Sequence, residues 1–253
     1  MRLANRTKEV EFFKQMLLGQ ISKRILLIKS ASGMGKTILL DEFAAICPAA
    51  IQLAQIDLRG ATNGITFVCS RLQRQIGEDN FTRFNDAINT FLNAGVEVSG
   101  NNIKGTGNQI NVFSSAESKE FANIRFDRLQ KEFFCDLRAI EKPIVIILDT
   151  FELAPTTLKN WIGGDFLEEV AKAKNIWVVI AGQSVPEPKI GWRRLADTHC
   201  LDKIDDIDVW HSFLHANGLL FERETVEAFV LHLDGQPSDI VQAMQNVDRR
   251  RRK

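Results

Sequence analysis

Several features of secreted and membrane proteins are missing from this sequence of 253 residues. No apolar run approaches the ~18 residues of a membrane span. The N-terminal segment 1–16 carries a charge every few residues and lacks the apolar core of a signal peptide. The four cysteines, Cys47, Cys69, Cys135 and Cys200, are scattered without a C-x-x-C pair, which is typical of reduced structural thiols. We therefore expect a cytoplasmic protein that makes no membrane contact.

An excess of charge of one sign is also missing, because 32 Lys and Arg residues balance 32 Asp and Glu residues. A protein that coats nucleic acid is usually basic, so this balance argues against nucleic acid as a partner. The six prolines do not cluster into a linker. With 45% hydrophobic and 25% charged residues, the composition is that of an ordinary globular protein with a sizeable core. At about 150 residues per domain, we expect one large domain, alone or with a small appendage.

Short, nearly continuous apolar runs alternate with helical patterns through residue 182. The runs lie at 24–29, 51–58, 143–149 and 175–182, and each is typical of a strand buried on both faces of a parallel sheet. Apolar residues at helical spacing mark 7–19, 36–46, 65–77, 80–94, 116–140 and 157–174. This alternation predicts an α/β fold in which helices cover both faces of a parallel sheet through right-handed crossovers.

Two regions depart from this alternation. Residues 95–115 are rich in Gly, Asn and Ser, and their alternating Val and Ile positions fit a weak hairpin or a mobile loop. This insertion is either a plain surface loop or a flap that binds a partner. From residue 205 onward only helical patterns remain, at 205–217, 223–233 and 237–249. We therefore expect a sheet domain over 1–202 and a small helical lid over 203–253.

The loop after the first predicted strand reads K-S-A-S-G-M-G-K-T at 29–37, between a strand and a helix, as a Walker A phosphate-binding loop requires. Backbone N–H groups of such a loop point at phosphate oxygens, and Gly33 and Gly35 permit that close approach. Lys36 supplies a point charge for the β- and γ-phosphates, and the Thr37 hydroxyl can ligate Mg²⁺. The predicted nucleotide-binding residues of the loop are Ser30, Ser32, Gly33, Met34, Gly35, Lys36 and Thr37.

The loop departs at one place from the usual pattern G-x-x-x-x-G-K-[ST], because its first position is Ser30. Serine is small, and the next two residues are small as well, so we expect the loop to close. A lookalike loop, or a degenerate loop that binds nucleotide weakly or not at all, is the alternative.

An acidic residue ends the most apolar of the predicted strands. Asp149 stands at the C-terminal tip of the run at 143–149, where a carboxylate needs a partner. In a phosphate-loop protein this is the Walker B position, whose carboxylate holds a Mg²⁺-bound water beside Thr37. Thr150 follows directly in place of an acid. Glu152 either polarises the attacking water as a catalytic residue or caps the helix that follows.

Further motifs follow in a fixed order along nearly the whole chain. They are L-A-N-R-T-K-E-V at 3–10, the loop at 30–37, L-D-T-F-E at 148–152, Trp161, A-G-Q-S-V-P at 181–186 and D-G-Q-P-S-D-I at 234–240. In this order the chain resembles the nucleotide-binding domain of STAND-class P-loop ATPases, the bacterial relatives of the NB-ARC and NACHT proteins. The ordered set is more specific for this family than the loop by itself.

The resemblance implies a P-loop NTPase sheet followed by a helical lid, with ATP or ADP and Mg²⁺ as ligands. It places Arg6 near the nucleotide and Pro237 against the adenine. It also places Gln183 where bacterial members carry an arginine that senses the γ-phosphate, and a neutral amide there argues for slow or weak ATP hydrolysis. Lid closure that depends on the nucleotide would make the protein a signalling switch, which self-associates or engages an effector protein.

Two other functions stay open. An inactive P-loop scaffold would bind protein partners without nucleotide. An AAA+-type motor or initiator ATPase would need an arginine from another subunit and a competent acid beside Asp149. The basic segment 249–253 fits a solvated helix end, with nucleic acid or an acidic partner as the alternative. His211 and His215 lie one helical turn apart without a third ligand, so their spacing indicates no metal site.

Overall fold

The computed structural model describes residues 5–62, 64–93 and 119–251. The strands are β1 (Ile25–Lys29), β2 (Gln52–Asp57), β3 (Ile144–Asp149), β4 (Ile176–Gly182) and β5 (Ala196–Cys200). The helices are α1 (Thr7–Leu17), α2 (Lys36–Ile46), α3 (Ile65–Ile76), α4 (Thr82–Asn93), α5 (Lys119–Ala139), α6 (Thr156–Trp161), α7 (Leu167–Lys172), α8 (Ile207–Ala216), α9 (Arg223–His232) and α10 (Pro237–Arg251). The insertion predicted at 95–115 lies outside the described residues.

The strands form one sheet in the order β2-β3-β4-β1-β5, and every neighbouring pair is parallel. The carboxyl ends of all five strands therefore meet at one edge of the sheet. At this edge the loop 30–35 follows β1, Asp149 ends β3, and Gln183 follows β4. Because β4 lies between β1 and β3, the topology brings three predicted site segments together.

The sheet separates two apolar layers, because successive side chains of a strand point to opposite faces. In β1, Ile25 and Leu27 belong to one layer, whereas Leu26 and Ile28 belong to the other. Helices α1 and α2 cover the second face, and α3, α5, α6 and α7 cover the first. β3 is buried along its whole length, as its uninterrupted apolar run predicts. The predicted α/β architecture with helices on both faces is confirmed.

The sequence predicts four strands, and the structure adds β5 as a fifth. Its residues read A-D-T-H-C, and Ala196 is the one that is buried. β5 pairs with β1 at the edge of the sheet, so most of its side chains need not be apolar. The missing apolar run explains why this strand escapes sequence analysis.

The single helix predicted over 157–174 is interrupted in the structure. A π-helical turn at Ile162–Phe166 separates α6 from α7. It contains Gly163, whose carbonyl accepts a 3.1 Å hydrogen bond from Trp192 Nε1. A Cβ atom at Gly163 would lie 3.2 Å from Cβ of Pro186, so the missing side chain allows this close packing. Turns of this kind are local bulges of an α-helix, and helical periodicity does not reveal them.

Helices α8, α9 and α10 share an apolar cluster of their own. Trp210 is its largest buried side chain, and Trp210 Nε1 donates a 2.7 Å hydrogen bond to the Ile204 carbonyl. α10 begins with Pro237, a residue that suits the first position of a helix. Among the described residues, no helix has the length and hydropathy to cross a membrane.

Candidate nucleotide-binding site

The loop 30–35 folds through two glycines in left-handed backbone conformation. Gly33 has φ = +81° and Gly35 has φ = +86°, values that side chains other than hydrogen disfavour. Gly35 is also the N-cap of α2 and provides no side-chain cap. The first N–H groups of α2 therefore donate no hydrogen bond to an N-cap side chain, as suits an anion-binding loop.

Lys36 folds back over this loop. Its Nζ donates hydrogen bonds to the carbonyls of Ser30, at 2.8 Å, and Ala31, at 2.7 Å, and to the Ser30 hydroxyl at 3.2 Å. Ser30, in the unusual first position, also pairs with the end of β4, since its N–H donates a 3.2 Å hydrogen bond to the Gly182 carbonyl. Burial lowers the pKa of Lys36, against the opposing charges of Glu152 and Asp149.

Asp149 contacts the loop side of the site directly. The Thr37 hydroxyl donates a 2.9 Å hydrogen bond to Asp149 Oδ2, and the Thr150 N–H donates a 2.7 Å bond to Oδ1. Thr150 has φ = +60°, an uncommon conformation for a β-branched residue that often accompanies functional sites. The turn after β3 therefore holds the Asp149 carboxylate so that Oδ2 accepts the hydrogen bond from the Thr37 hydroxyl, while Oδ1 accepts the one from the Thr150 N–H.

The pair formed by Thr37 and Asp149 fits a Mg²⁺ ion. Mg²⁺ is usually held by one or two protein oxygens, with waters and phosphate oxygens as its remaining ligands. Among the described residues, no group of three or more His, Cys, Asp or Glu side chains forms an alternative metal cluster. A Mg²⁺ ion held by Thr37 and Asp149 would take its remaining ligands from waters and phosphate oxygens.

Glu152 lies in a 3₁₀ turn at Phe151–Leu153, directly after β3. Its Oε2 accepts a 2.9 Å hydrogen bond from the Gln183 N–H, and its Oε1 accepts one of 3.4 Å from Gln183 Nε2. The N-cap residue of α6 is Pro155, and no side chain makes a capping hydrogen bond at that end of the helix. Glu152 therefore does not cap α6. A Cβ atom at Gly182 would lie 2.7 Å from Glu152 Oε2, so a glycine at the end of β4 allows the contact.

Arg6 ties three segments together. Its Nη2 donates hydrogen bonds to the carbonyl of Met34, at 3.1 Å, and to that of Asp202, at 2.8 Å. Burial lowers the pKa of Arg6, while Glu9 and Asp202 oppose that shift. Arg6 therefore links the start of α1, the loop and the segment that leads to α8.

The N-terminus of α10 rests on the loop. The Ser238 N–H donates a 3.0 Å hydrogen bond to the Gly33 carbonyl. A Cβ atom at Gly33 would lie 2.5 Å from Ser238 Oγ and 2.9 Å from Gln236 Nε2. Gly33 thus serves two purposes, since it permits the turn and leaves space for the start of α10.

These elements enclose a cavity of about 460 Å³, a size common among small-molecule sites. Polar side chains from the sheet edge line one part of it: Lys36, Thr37, Arg59, Asp149, Glu152 and Gln183. Mainly apolar side chains line another part: Met34, Ile38, Ile204, Trp210, Phe213, Pro237 and Val241. The lining therefore combines charged residues of the sheet edge, called the charged region, with apolar residues, called the apolar region, and a nucleotide requires both kinds.

The structure brings together almost every residue that the sequence nominates. Ser32, Gly33, Gly35 and Arg6 line the same cavity as the residues just named. Ser30 is the exception, since it supports Lys36 from outside the cavity lining.

Sequence analysis missed Arg59 and the amides of Gln242 and Gln245, which also line the cavity. Arg59 follows β2 by two residues, so its place at a strand end was the available signal. Trp210 both packs in the α8–α10 cluster and lines the cavity.

No protein-family model and no curated protein matches the sequence. Among solved structures, Cdc6p from Pyrobaculum aerophilum is similar with a TM-score of 0.55 and 17% identity, over 96% of this chain and 60% of that chain. Orc1 from Aeropyrum pernix, solved in complex with DNA, gives a TM-score of 0.49 and 16% identity, over 98% and 62% of the two chains. The Holliday junction branch migration motor RuvB from Thermotoga maritima gives 0.47 and 10%, again over 98% and 62%.

The chain thus spans about three fifths of the length of these structures. At 17% identity, the similarity to Cdc6p establishes the fold and nothing finer. Together with the parallel sheet and the loop 30–37, it shows that this chain has the α/β fold of P-loop NTPases.

Proposed function

We propose that this chain is an ATP-binding module of AAA+ type, in which ATP or ADP binds with Mg²⁺ between the loop 30–37 and the helices α8–α10. The observation that carries the proposal is the 2.9 Å contact between Thr37 and Asp149 beside the amine of Lys36. A hydroxyl, a carboxylate and an ammonium group around one cavity match the needs of a chelated polyphosphate. The fold shared with Cdc6p supports the AAA+ type.

Each residue of the site has a distinct task in this proposal. Lys36 and the first amides of α2 bind the β- and γ-phosphates, which favours the triphosphate in the charged region. Asp149 and Thr37 would hold Mg²⁺, which neutralises phosphate charge when it is bound. Glu152 orients the attacking water and accepts its proton once its carboxylate leaves Gln183.

The apolar region of the cavity suits the base. Pro237 and Val241 on α10 face the same space as Trp210 and Phe213 on α8. In the proposal the sheet domain spans 1–202, and the helices of 203–253 form a lid over the nucleotide. The contact of Ser238 with Gly33 couples the lid to the phosphate loop.

A second candidate is a signalling switch of STAND type. It is favoured by the bond between Glu152 and Gln183, because an acid held by a neutral amide suits slow turnover. The nucleotide would then act by shifting the lid between two positions, and only a difference in its affinity for the two positions can do so. The ATP-bound form would associate with itself or with an effector protein.

Turnover and assembly separate these candidates. We would measure steady-state ATP hydrolysis for the wild type, for Glu152→Gln and for the control Glu141→Gln, whose residue is exposed on the loop before β3. Turnover that Glu152→Gln alone abolishes supports the AAA+ type. The switch is supported if turnover is negligible and if the molar mass, measured by light scattering, rises in ATP but not in ADP.

The nucleotide content of the purified protein tests what both candidates share. Chromatography of the denatured protein should release ATP or ADP. If no nucleotide is released and none binds when added, the chain is a scaffold that binds protein partners alone. A gel shift that weakens with salt would show nucleic-acid binding, which neither candidate requires.

A further inference from the structure

We propose that Arg59 is a cation that this chain itself supplies to the terminal phosphate of ATP, and that it makes the site prefer ATP over ADP. The inference rests on the proposed nucleotide site and adds a residue that no motif nominates. Arg59 lines the same cavity as Lys36, Thr37 and Asp149.

The sheet register places Arg59 beside the metal ligands. β2 pairs with β3 so that Asp57 lies opposite Asp149. Arg59 follows Asp57 by two residues, in a 3₁₀ turn at Leu58–Gly60. The turn thus leaves the sheet at the same edge as the phosphate loop and next to the strand that carries Asp149.

The backbone of this turn is firmly held. Leu58 is fully buried and Ala61 is 1% exposed, which anchors the chain on both sides of Arg59. Asp57 Oδ1 accepts a 2.9 Å hydrogen bond from the Arg59 N–H and so caps the turn. The held backbone fixes the point at which the Arg59 side chain leaves the turn, at the lining of the cavity.

The guanidinium group itself is loosely held. The Arg59 side chain is 67% exposed, and its Nε lies 3.8 Å from Asp57 Oδ2. An exposed ion pair at this distance contributes little and leaves most donors of the guanidinium available.

The other cations of the cavity are engaged with backbone carbonyls. Lys36, which must leave the carbonyls of Ser30 and Ala31 to bind the β- and γ-phosphates, donates to both of them, and Arg6 donates to those of Met34 and Asp202. Among the described residues that line the cavity, Arg59 is the cation without such a carbonyl partner.

The terminal phosphate needs an additional positive charge at this place. It brings negative charge toward the carboxylates of Asp149 and Glu152, and Gln183 at the end of β4 is neutral. Arginine suits the task, because its planar guanidinium can donate two parallel hydrogen bonds to phosphate oxygens. A contact with the terminal phosphate alone strengthens the binding of ATP and leaves that of ADP unchanged.

The test compares the affinities of the full chain for ATP and ADP in the presence of Mg²⁺, measured by titration calorimetry. Arg59→Gln should weaken ATP binding about tenfold or more, as expected for the loss of a charge-assisted hydrogen bond, and leave the ADP affinity within about twofold. Arg59→Lys should fall between the wild type and Arg59→Gln. The matched control is Arg74→Gln, which removes a charge from an exposed position of α3 outside the cavity lining.

Retained ADP binding shows that Arg59→Gln is folded, so a selective loss of ATP affinity supports the inference. An unchanged ATP affinity, or an equal loss for ATP and ADP, overturns it while the nucleotide site stands. If the wild type binds neither nucleotide, or if Lys36→Ala binds both as tightly as the wild type, the proposed function itself fails and the inference fails with it.

Discussion

The hydroxyl of Thr37 donates a 2.9 Å hydrogen bond to Oδ2 of Asp149, although 112 positions separate the two residues in the sequence. Thr37 lies in the first turn of α2, and Asp149 ends β3. The strand that precedes Thr37 is β1, and it is not adjacent to β3 because β4 lies between them. The contact therefore depends on the order of β1, β4 and β3 in the sheet, and it brings the pair proposed to hold Mg²⁺ next to the loop 30–37.

Replacing Asp149 tests the metal site. Mg²⁺ should strengthen ATP binding by the wild type. In Asp149→Asn this gain in affinity should be smaller by a factor of at least about ten, because an amide is a much poorer Mg²⁺ ligand than a carboxylate. Affinity measured in a chelator should change little, since Lys36 and the loop remain. The measurement is a pair of ATP titrations, with Mg²⁺ and with chelator.

Asp86→Asn provides the control, because Asp86 is exposed on α4 and lies outside the cavity lining. If Asp149→Asn keeps the Mg²⁺ effect of the wild type, Asp149 does not help to hold the metal.

Alanine at the two loop glycines separates backbone strain from steric contact. Gly33 and Gly35 both have positive φ, so each substitution should lower the free energy of unfolding by about 1–2 kcal/mol. At Gly33 alone the new Cβ would meet Ser238 Oγ, 2.5 Å away, whereas at Gly35 no heavy atom outside the adjoining residues lies within 4 Å. Gly33→Ala should therefore be the more destabilising of the two in a urea titration.

The clash can be relieved independently of the strain. Ser238→Ala removes Oγ and leaves Cβ at 3.4 Å, an ordinary contact. In the Gly33→Ala background it should recover part of the difference from Gly35→Ala, because Gln236 Nε2 would still lie 2.9 Å from the new Cβ. In the wild type it should not stabilise the protein. Equal effects of the two alanine substitutions would contradict the close contact between α10 and the loop.

The pH dependence of binding follows from Lys36. Burial lowers its pKa below the ordinary value of 10.5, despite the opposing charges of Glu152 and Asp149. The charged form binds phosphate, so affinity is present below this pKa and is lost as the pH rises through it. We expect the ATP affinity of the wild type to fall on the alkaline side of neutrality before an ordinary lysine would lose its proton.

Lys36→Arg should bind more weakly at neutral pH, because the guanidinium does not match the geometry of an ammonium group, but it should keep its charge over the same range. Its affinity should therefore be nearly flat where that of the wild type falls. If the ATP affinities of Lys36→Arg and the wild type fall in parallel as the pH rises, the pH dependence belongs to a group other than Lys36. Titrations from neutral to alkaline pH provide the measurement.

Contiguous signals made much of the fold predictable from sequence. The loop 30–37 is recognisable because its residues are adjacent, and β3 because an apolar run survives burial on both faces. Asp149 could be nominated as a site residue from the sequence because it stands at the end of such an apolar run. The structure also places Arg6 and Pro237, nominated by resemblance, at the cavity.

Features that depend on tertiary pairing could not be predicted. The register between β2 and β3 brings Arg59 to the cavity, and no local pattern specifies that register. The hydrogen-bond partner of Glu152 is Gln183, 31 residues away. From the sequence alone, the Glu152 carboxylate could serve either in catalysis or as a helix cap. Strand β5 escaped because an edge strand with one buried residue lacks an apolar signature.

The proposed function depends on the loop 30–37 holding the phosphates of a nucleotide. Its most direct test is the calorimetric titration of the wild type and of Lys36→Ala with ADP and Mg²⁺, with the exposed Lys8→Ala as control. We expect the wild type and Lys8→Ala to bind alike, and Lys36→Ala to bind at least about tenfold more weakly, because the phosphates lose a charge-assisted partner. Equal ADP affinity in all three proteins would contradict the account.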